Sequence, residues 1–193
     1  TQVRRLYTGI VRMMSAILMN DRDAQWQTLG EDVLEAVREL GGADTHACVE
    51  SLETSLASVL RVPHVIGCSS AVDAVEIALR AVGAARGDKV LTSALSDFTT
   101  TLAILRVGAI PVFVDVDRSG LIDLNAAEAA LHSDAGIRHM LPVHEFGHAL
   151  DLQRLERLRR EYRLKLVEDA SQAARASWRG TPVATVGQAS ATG

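Results

Sequence analysis

The chain has 193 residues, 48% hydrophobic and 23% charged, with a net charge of −4 at pH 7. This composition is typical of a globular protein and excludes a disordered chain, a collagen and a small disulfide-stabilised fold. The slightly acidic balance argues against nucleic acid or an anionic membrane as a partner. The apolar stretches are too short to span a bilayer, and two isolated cysteines, Cys48 and Cys68, suit a reducing compartment. We therefore expect a cytoplasmic protein.

Residues 1–45 are predicted to form an N-terminal helical arm. The first 20 residues contain three Arg and no acidic residue. This pattern indicates either a transit peptide or an amphipathic helix that docks on a partner or on the rest of the chain. A second helix is predicted over 31–42, where Gly41 and Gly42 end it.

Residues 46–193 alternate between helical and strand periodicity and are predicted to form one domain. The predicted helices are 47–60, 71–82, 99–107, 125–132 and 151–162. The predicted strands are 64–67, 89–93, 110–116, 137–144 and 164–170. Strands that alternate with helices predict a three-layer αβα fold with a mostly parallel sheet. The small, polar residues 181–193 are predicted to be a loop or an unfinished element.

Ligands of such sheets bind at the carboxyl ends of the strands. The sequence therefore predicts the ligand site among four segments, Gly67–Val72, Thr92–Thr101, Val143–Gly147 and Glu168–Gln172. In GCSSAVDAV a strand end runs into a helix, so its free N–H groups form a phosphate cradle, unless Ser69 or Ser70 is simply the helix N-cap. In VEDASQA an acid follows an apolar strand. Asp169 there either pairs with a protonated ring nitrogen of a cofactor or caps a turn.

The segment HEFGH, residues 144–148, matches the HExxH motif of zinc hydrolases. Two observations oppose a metal site. The motif directly follows a predicted strand, and Asp151 and Arg154 stand where the extended motif needs Gly and His. A zinc hydrolase is therefore only a remote alternative, and we expect no metal ligands.

Five blocks of sequence occur in an order that is typical of one family. They are HVIGCSSAVDAVEIALRAVGAARGDKV, Gly108–Asp117, PVHEFGHALDL, Glu168–Ala173 and GTPVATVG. Through these blocks, residues 47–190 resemble the amino-terminal large domain of the DegT/DnrJ/EryC1/StrS family. Its members are aminotransferases that use pyridoxal phosphate (PLP) and act on nucleotide-linked keto sugars. The resemblance implies the large domain of a fold-type I PLP-dependent transferase, here truncated and without the small domain.

The resemblance also implies which residues bind the cofactor. Ser70, Ala71 and Val72 stand where the family's S-G-T binds the phosphate. Asp169 stands where an Asp pairs with the pyridinium nitrogen, and Gln172 where a Gln bonds the phenolic oxygen. Ala71 and Val72 depart from the family pattern, because they replace a Gly and a hydroxyl donor.

Two further departures concern the ring and the covalent link. An ungapped count puts Asp97 in the position of the aromatic that stacks on the ring, and Phe98 one residue later. Phe98 is the candidate for the stacking residue, provided that a local bulge shifts it by one position. The family's Schiff-base lysine lies in a segment that follows the matched blocks. Lys89 and Lys165, the two lysines of the sequence, begin strands and lie at the wrong edge of the sheet. No catalytic residue is therefore assigned.

The resemblance implies an enzyme of amino sugar biosynthesis that moves an amino group from glutamate through PLP to a keto sugar. Because the lysine is missing, we expect this chain to be inactive alone. It is expected to form a homodimer, or a heterodimer with a related chain. The alternative is a non-catalytic partner of a full-length aminotransferase.

Overall fold

The computed structural model describes residues 21–42 and 44–192, so the helix predicted within residues 1–20 lies outside them. The chain divides into two compact units, residues 1–50 and 51–193. None of the helices in the described residues is long and apolar enough to cross a membrane.

The first unit contains helix α1 (Arg22–Leu40) and the start of α2 (Thr45–Leu60), which continues into the second unit. Helix α1 begins nine residues before the predicted start at residue 31. The reason is a cap: the Asp21 carboxylate accepts a hydrogen bond of 3.0 Å from the backbone N–H of Ala24.

The second unit alternates strands and helices. Its helices are α3 (Ala71–Ala81), α4 (Phe98–Val107), α5 (Leu124–Ser133) and α6 (Leu152–Glu161). Its strands are β1 (Lys89–Ser93), β2 (Ile110–Val114), β3 (Ile137–Leu141), β4 (Lys165–Asp169), β5 (Ser177–Trp178), β6 (Thr181–Pro182) and β7 (Ala189–Ala191). A 3₁₀ turn, Glu145–Gly147, follows β3.

Five strands form one sheet in the order β2-β1-β3-β4-β7, and every neighbouring pair is parallel. Strands β5 and β6 form a separate antiparallel hairpin. Since all five strands of the sheet run in one direction, their carboxyl ends lie along a single edge.

Side chains of the central strands alternate between two apolar cores. Val90 and Val167 pack in the core that includes residues of α3 and α4. Their neighbours Leu91 and Leu166 pack in the core that includes residues of α5 and α6. Successive strand residues point to opposite faces, so the sheet is buried on both sides. The predicted three-layer αβα fold with a mostly parallel sheet is confirmed.

One predicted strand is wrong, and residues 181–193 follow the second of their two predictions, an element rather than a loop. Residues 64–67 form no strand, and Ile66 is 77% exposed. A short apolar run becomes a strand only where a neighbour pairs with its backbone, and periodicity does not supply that information. Within residues 181–193, Ala189–Ala191 form β7. The Gln188 side chain accepts a hydrogen bond of 2.8 Å from the N–H of Leu166 and so aligns this segment with β4.

Two leucines, one buried and one exposed, provide a test of the assigned core. Leu155 is fully buried in the core beside α5 and α6, whereas Leu105 on α4 is largely exposed. We expect Leu155→Ala to lower the free energy of unfolding by about 2–5 kcal/mol, because it leaves a cavity in a packed core. Leu105→Ala should change it by ~0.5 kcal/mol or less. Urea denaturation of both variants measures the difference, and equal effects would contradict the assigned burial.

Candidate functional site

The carboxyl ends of β1, β3 and β4 lie side by side, and an acidic residue follows or ends each strand. Asp97 is the N-cap of α4 after β1, Glu145 begins the turn after β3, and Asp169 is the last residue of β4. The parallel order β1-β3-β4 places these three residues at the same edge of the sheet. This edge is where an open α/β sheet binds its ligands.

Asp169 is held rigidly at the centre of this edge and is 4% exposed. Its Oδ2 accepts a hydrogen bond of 3.0 Å from the Thr100 hydroxyl. Its Oδ1 accepts from the N–H and hydroxyl of Ser171, at 3.1 and 2.7 Å. A carboxylate has about four lone-pair positions, so Oδ2 can accept one more hydrogen bond. The arrangement suits a protonated ring nitrogen.

Gln172 lies one turn beyond Asp169 and contacts the loop after β3. Its Oε1 accepts a hydrogen bond of 3.3 Å from the N–H of Phe146, which has a left-handed φ of 56°. With the oxygen used in this way, the Nε2 group is available to donate to a ligand oxygen. The structure therefore brings the predicted ring contacts, Asp169 and Gln172, to one place.

The start of α3 presents backbone groups rather than hydroxyls. Ser70 is the N-cap, and the hydroxyls of Ser69 and Ser70 both donate to Asp73 Oδ2, at 2.6 and 2.7 Å. These two hydroxyls, followed by the guanidinium of Arg106, lower the pKa of Asp73 to about 2. The first N–H groups of a helix have no partner within it, so those of Ala71 and Val72 are what remains for a phosphate.

The structure gives Asp97 and Phe98 different environments. The Asp97 carboxylate caps α4 by accepting a hydrogen bond of 2.8 Å from the N–H of Thr99. Hydrogen bonds from Thr99 lower the pKa of Asp97, so its side chain is an anion at neutral pH. Phe98 is the first residue of α4 and is 69% exposed.

Glu145 is a site residue that the sequence did not identify. It is 3% exposed, and its Oε1 has no hydrogen-bond partner. Burial raises the pKa of Glu145, and the nearby charges of Asp169 and Asp97 raise it further. In the sequence, the sign of Glu145 is its place as the acid of HEFGH, directly after a predicted strand.

Glu168 and His144 form a fully buried pair behind the site. His144 Nδ1 accepts a hydrogen bond of 3.2 Å from the N–H of Leu150. The proton of the neutral ring is therefore on Nε2, which donates to Glu168 Oε2 at 3.0 Å. Backbone N–H groups of residues 184, 186 and 187 also donate to Glu168.

Opposing effects act on the Glu168 carboxyl. Burial by itself would raise its pKa, but the hydrogen bonds from His144 and from the backbone of Gly187 and Val186 hold the pKa below its ordinary value. Glu168 is thus an anion inside the protein.

The HEFGH segment does not form a zinc-protease site. Residues Glu145–Gly147 are a 3₁₀ turn rather than an α-helix, so His144 and His148 are not one helical turn apart. Both ring nitrogens of His144 are already hydrogen-bonded. Within residues 21–42 and 44–192, no three His, Cys, Asp or Glu side chains converge closely enough to hold a metal ion.

Both lysines lie at the edge of the sheet opposite the site. Lys89 is the first residue of β1 and Lys165 the first residue of β4. Lys89 also forms an ion pair of 2.5 Å with Asp134. Neither amine can reach a ligand at the carboxyl ends of the strands.

A surface cleft of about 640 Å³ opens beside Gly147, on the side of α5 and α6. Its lining includes Trp178 and the carboxylates of Asp117, Asp123 and Asp151. The lining also includes the guanidinium of Arg154, so the three carboxylates outnumber one cation and the cleft is acidic.

Replacement of Glu168 tests whether its buried carboxylate stabilises the fold. We expect Glu168→Gln to lower the free energy of unfolding at pH 7 by about 2–5 kcal/mol, because an amide N–H₂ would face N–H donors. Glu161→Gln, at the exposed end of α6, is the matched control.

The pH dependence follows from the lowered pKa of Glu168. The Glu168 carboxyl binds a proton less tightly in the native state than in the unfolded state. The ionised carboxylate therefore stabilises the fold at pH values above the ordinary glutamate pKa, and this stabilisation is lost as the pH falls through the lowered pKa. The difference in the free energy of unfolding between wild type and Glu168→Gln should therefore decrease from about pH 5 downwards. Urea denaturation across pH measures it, and a difference that does not depend on pH would contradict an ionised Glu168.

Comparison with known proteins agrees with this geometry. A sequence model described as the DegT/DnrJ/EryC1/StrS aminotransferase family matches residues 27–192. The dTDP-3-amino-3,4,6-trideoxy-alpha-D-glucose transaminase of Micromonospora megalomicea subsp. nigra is 37% identical over 164 residues, covering 83% of this chain and 43% of that protein. The pleiotropic regulatory protein of Geobacillus stearothermophilus is 34% identical, covering 89% of this chain and 46% of that protein.

Solved structures show the same relationship. S. venezuelae DesV, solved in complex with a ketimine intermediate, superposes with a TM-score of 0.80 at 29% identity, covering 89% of this chain and 47% of that one. A 3-amino-5-hydroxybenzoic acid synthase superposes with a TM-score of 0.69 at 27% identity, covering 87% of this chain and 43% of that one. The chain spans about half the length of the curated relatives it matches. This chain belongs to the DegT/DnrJ/EryC1/StrS aminotransferase family.

Proposed function

We propose that this chain forms the cofactor-binding part of a PLP-dependent aminotransferase that acts on a nucleotide-linked keto sugar with glutamate as amino donor. The observation that carries the proposal is Asp169. Its buried carboxylate is fixed by Thr100 and Ser171, and one acceptor position on Oδ2 remains for a ring N–H. The relative named as a transaminase of a dTDP-linked amino sugar supports the substrate class.

The residues present fit PLP at its ring. Asp169 would hold a proton on the ring nitrogen, and the free Nε2 of Gln172 would donate to the phenolic oxygen. At the other end, the backbone N–H groups of Ala71 and Val72 would bind the phosphate, helped by the positive end of α3. PLP, when bound, supplies an electron sink for the carbon that exchanges the amino group.

Covalent attachment of the cofactor requires an amine, and the described part of the chain places no lysine at the site. Lys89 and Lys165 both lie at the opposite edge of the sheet. We therefore propose that this chain has no aminotransferase activity alone and that the lysine comes from residues outside these 193. A cytoplasmic homodimer, or a heterodimer with a related chain, is the proposed working form.

A second candidate is a non-catalytic partner that binds a full-length aminotransferase. The observation that favours it is the altered cofactor site. Asp97 is an anion where the family places a stacking aromatic, and the Ser69 and Ser70 hydroxyls are used by Asp73. Both features weaken cofactor binding, so a measurement of binding separates the two candidates.

The test is a visible-absorbance titration of the full chain with PLP. We expect a saturable spectral change in the wild type. Asp169→Asn should weaken binding about tenfold or more, because it removes the charge that holds the proton on the ring nitrogen. Asp32→Asn, an exposed carboxylate on α1, is the control and should bind like the wild type.

Borohydride reduction followed by intact-mass measurement completes the experiment. We expect no covalent adduct, because both lysines lie at the wrong edge. A wild type without saturable binding would overturn the cofactor-site proposal in favour of the non-catalytic partner. An adduct on Lys89 or Lys165 would show that the assignment of these residues to the opposite edge is wrong.

A further inference from the structure

Asp73, in the first turn of α3, binds both hydroxyl groups at the phosphate end of the site. Its Oδ2 accepts hydrogen bonds of 2.6 Å from Ser69 and 2.7 Å from Ser70. Ser70 Oγ also accepts a hydrogen bond of 3.2 Å from the backbone N–H of Asp73, as an N-cap does. An ionised carboxylate can only accept, so the proton of each hydroxyl lies toward Asp73.

The carboxylate of Asp73 is held in this orientation from a second helix. Its Oδ1 accepts a hydrogen bond of 2.8 Å from Arg106 on α4. The hydroxyls of Ser69 and Ser70, followed by the guanidinium of Arg106, lower the pKa of Asp73 to about 2, so Asp73 is ionised at neutral pH. Because Arg106 balances its charge, Asp73 changes the number of hydrogen-bond donors at this end more than the net charge.

The number of donors decides how well a phosphate is bound. A serine hydroxyl has a single proton, so it cannot donate to Asp73 and to a phosphate oxygen at once. With Ser69 and Ser70 both bound to Asp73, the backbone N–H groups of Ala71 and Val72 remain for the phosphate. The phosphate group should therefore add little to the affinity of a ligand.

We propose that Asp73 is a positioning residue that withholds the Ser69 and Ser70 hydroxyls from the cofactor phosphate, so that the site discriminates weakly between phosphorylated and unphosphorylated forms of the cofactor. This role rests on the proposed function, since it concerns the phosphate of that cofactor. It goes beyond the proposed function because it names the residue that limits the contribution of the phosphate. Loss of the Asp73 carboxylate frees two donors next to the N–H groups of Ala71 and Val72.

The experiment is equilibrium dialysis of the full chain at pH 7 with pyridoxamine phosphate and, separately, with pyridoxamine. Neither compound has an aldehyde that could react with Lys89 or Lys165, so the binding is non-covalent. The ratio of the two dissociation constants measures the contribution of the phosphate, whereas a variant that only loosens the fold weakens the binding of both compounds. We expect a ratio below about tenfold in the wild type.

Two variants test whether the hydroxyls are withheld. Asp73→Ala should raise the ratio about fivefold or more, because two hydroxyls become free to donate to an anion. Asp73→Ala combined with Ser69→Ala and Ser70→Gly should return the ratio to within about twofold of the wild type, and glycine is tolerated at an N-cap. Asp23→Ala, the same replacement in the first turn of α1, is the control and should leave the ratio unchanged.

Three results would overturn the role of Asp73. They are a wild-type ratio above about tenfold, an unchanged ratio in a folded Asp73→Ala variant, and a raised ratio that persists when both serines are replaced. In the last case the released charge of Arg106 would be the cause. Thermal unfolding establishes whether each variant is folded. Asp73→Asn, which removes the charge and keeps the shape of the side chain, is the second variant and should raise the ratio in the same direction.

The role of Asp73 and the cofactor site fail separately in this experiment. If the wild type binds both compounds and Asp73→Ala leaves the ratio unchanged, the role of Asp73 is wrong and the cofactor site stands. If pyridoxamine phosphate binds Asp73→Ala but not the wild type, the role of Asp73 is supported and the cofactor site of the wild type is wrong. An absence of binding to both proteins contradicts both proposals.

Discussion

The structure around the site depends on one buried anion, the carboxylate of Glu168. Its two oxygens accept four hydrogen bonds, from the His144 ring and from the backbone N–H groups of Ala184, Val186 and Gly187. An isolated buried carboxylate would be strongly unfavourable, and hydrogen bonds to its charged form offset that penalty. Ala184 has a left-handed φ of 63°, a conformation that a residue other than glycine rarely adopts. In this conformation its N–H donates to Glu168 Oε2 at 3.0 Å.

The same anion positions both sides of the site. On one side it fixes the loop that leads into β7, so that β7 pairs with β4. On the other it fixes His144, the residue before Glu145, and thereby the turn that carries Phe146. Strand alternation separates the two acids of β4: Glu168 points toward the loop, and Asp169 points toward Thr100 at the start of α4. One acid stabilises the fold, and its neighbour faces the ligand.

The sequence contained enough information to predict the sheet and most helices, because their signals are local. Periodicity located β1, and the N-cap of α3 at Ser70 is visible in the sequence. The strand predicted over 64–67 and the short β7 depend instead on which backbone lies alongside, and the A-S-A sequence of β7 has little strand preference of its own. The family blocks indicated Asp169 but not Glu145. The environment of Glu145 is set by Asp97 and Asp169, which are 24 or more positions away in the sequence, and its Oε1 has no hydrogen-bond partner.

The two ends of the site, the start of α3 and the carboxyl ends of the strands, differ in their charge. At the start of α3, the Asp73 carboxylate is neutralised by Arg106 at 2.8 Å, so the helix end keeps its attraction for an anion. At the ring end, the charges of Asp97 and Asp169 raise the pKa of Glu145, and no cation is among the groups that shift this pKa. A ligand that places an anionic group at α3 and a cationic one between the strands would satisfy both ends. A phosphate ester with a protonated ring has that polarity.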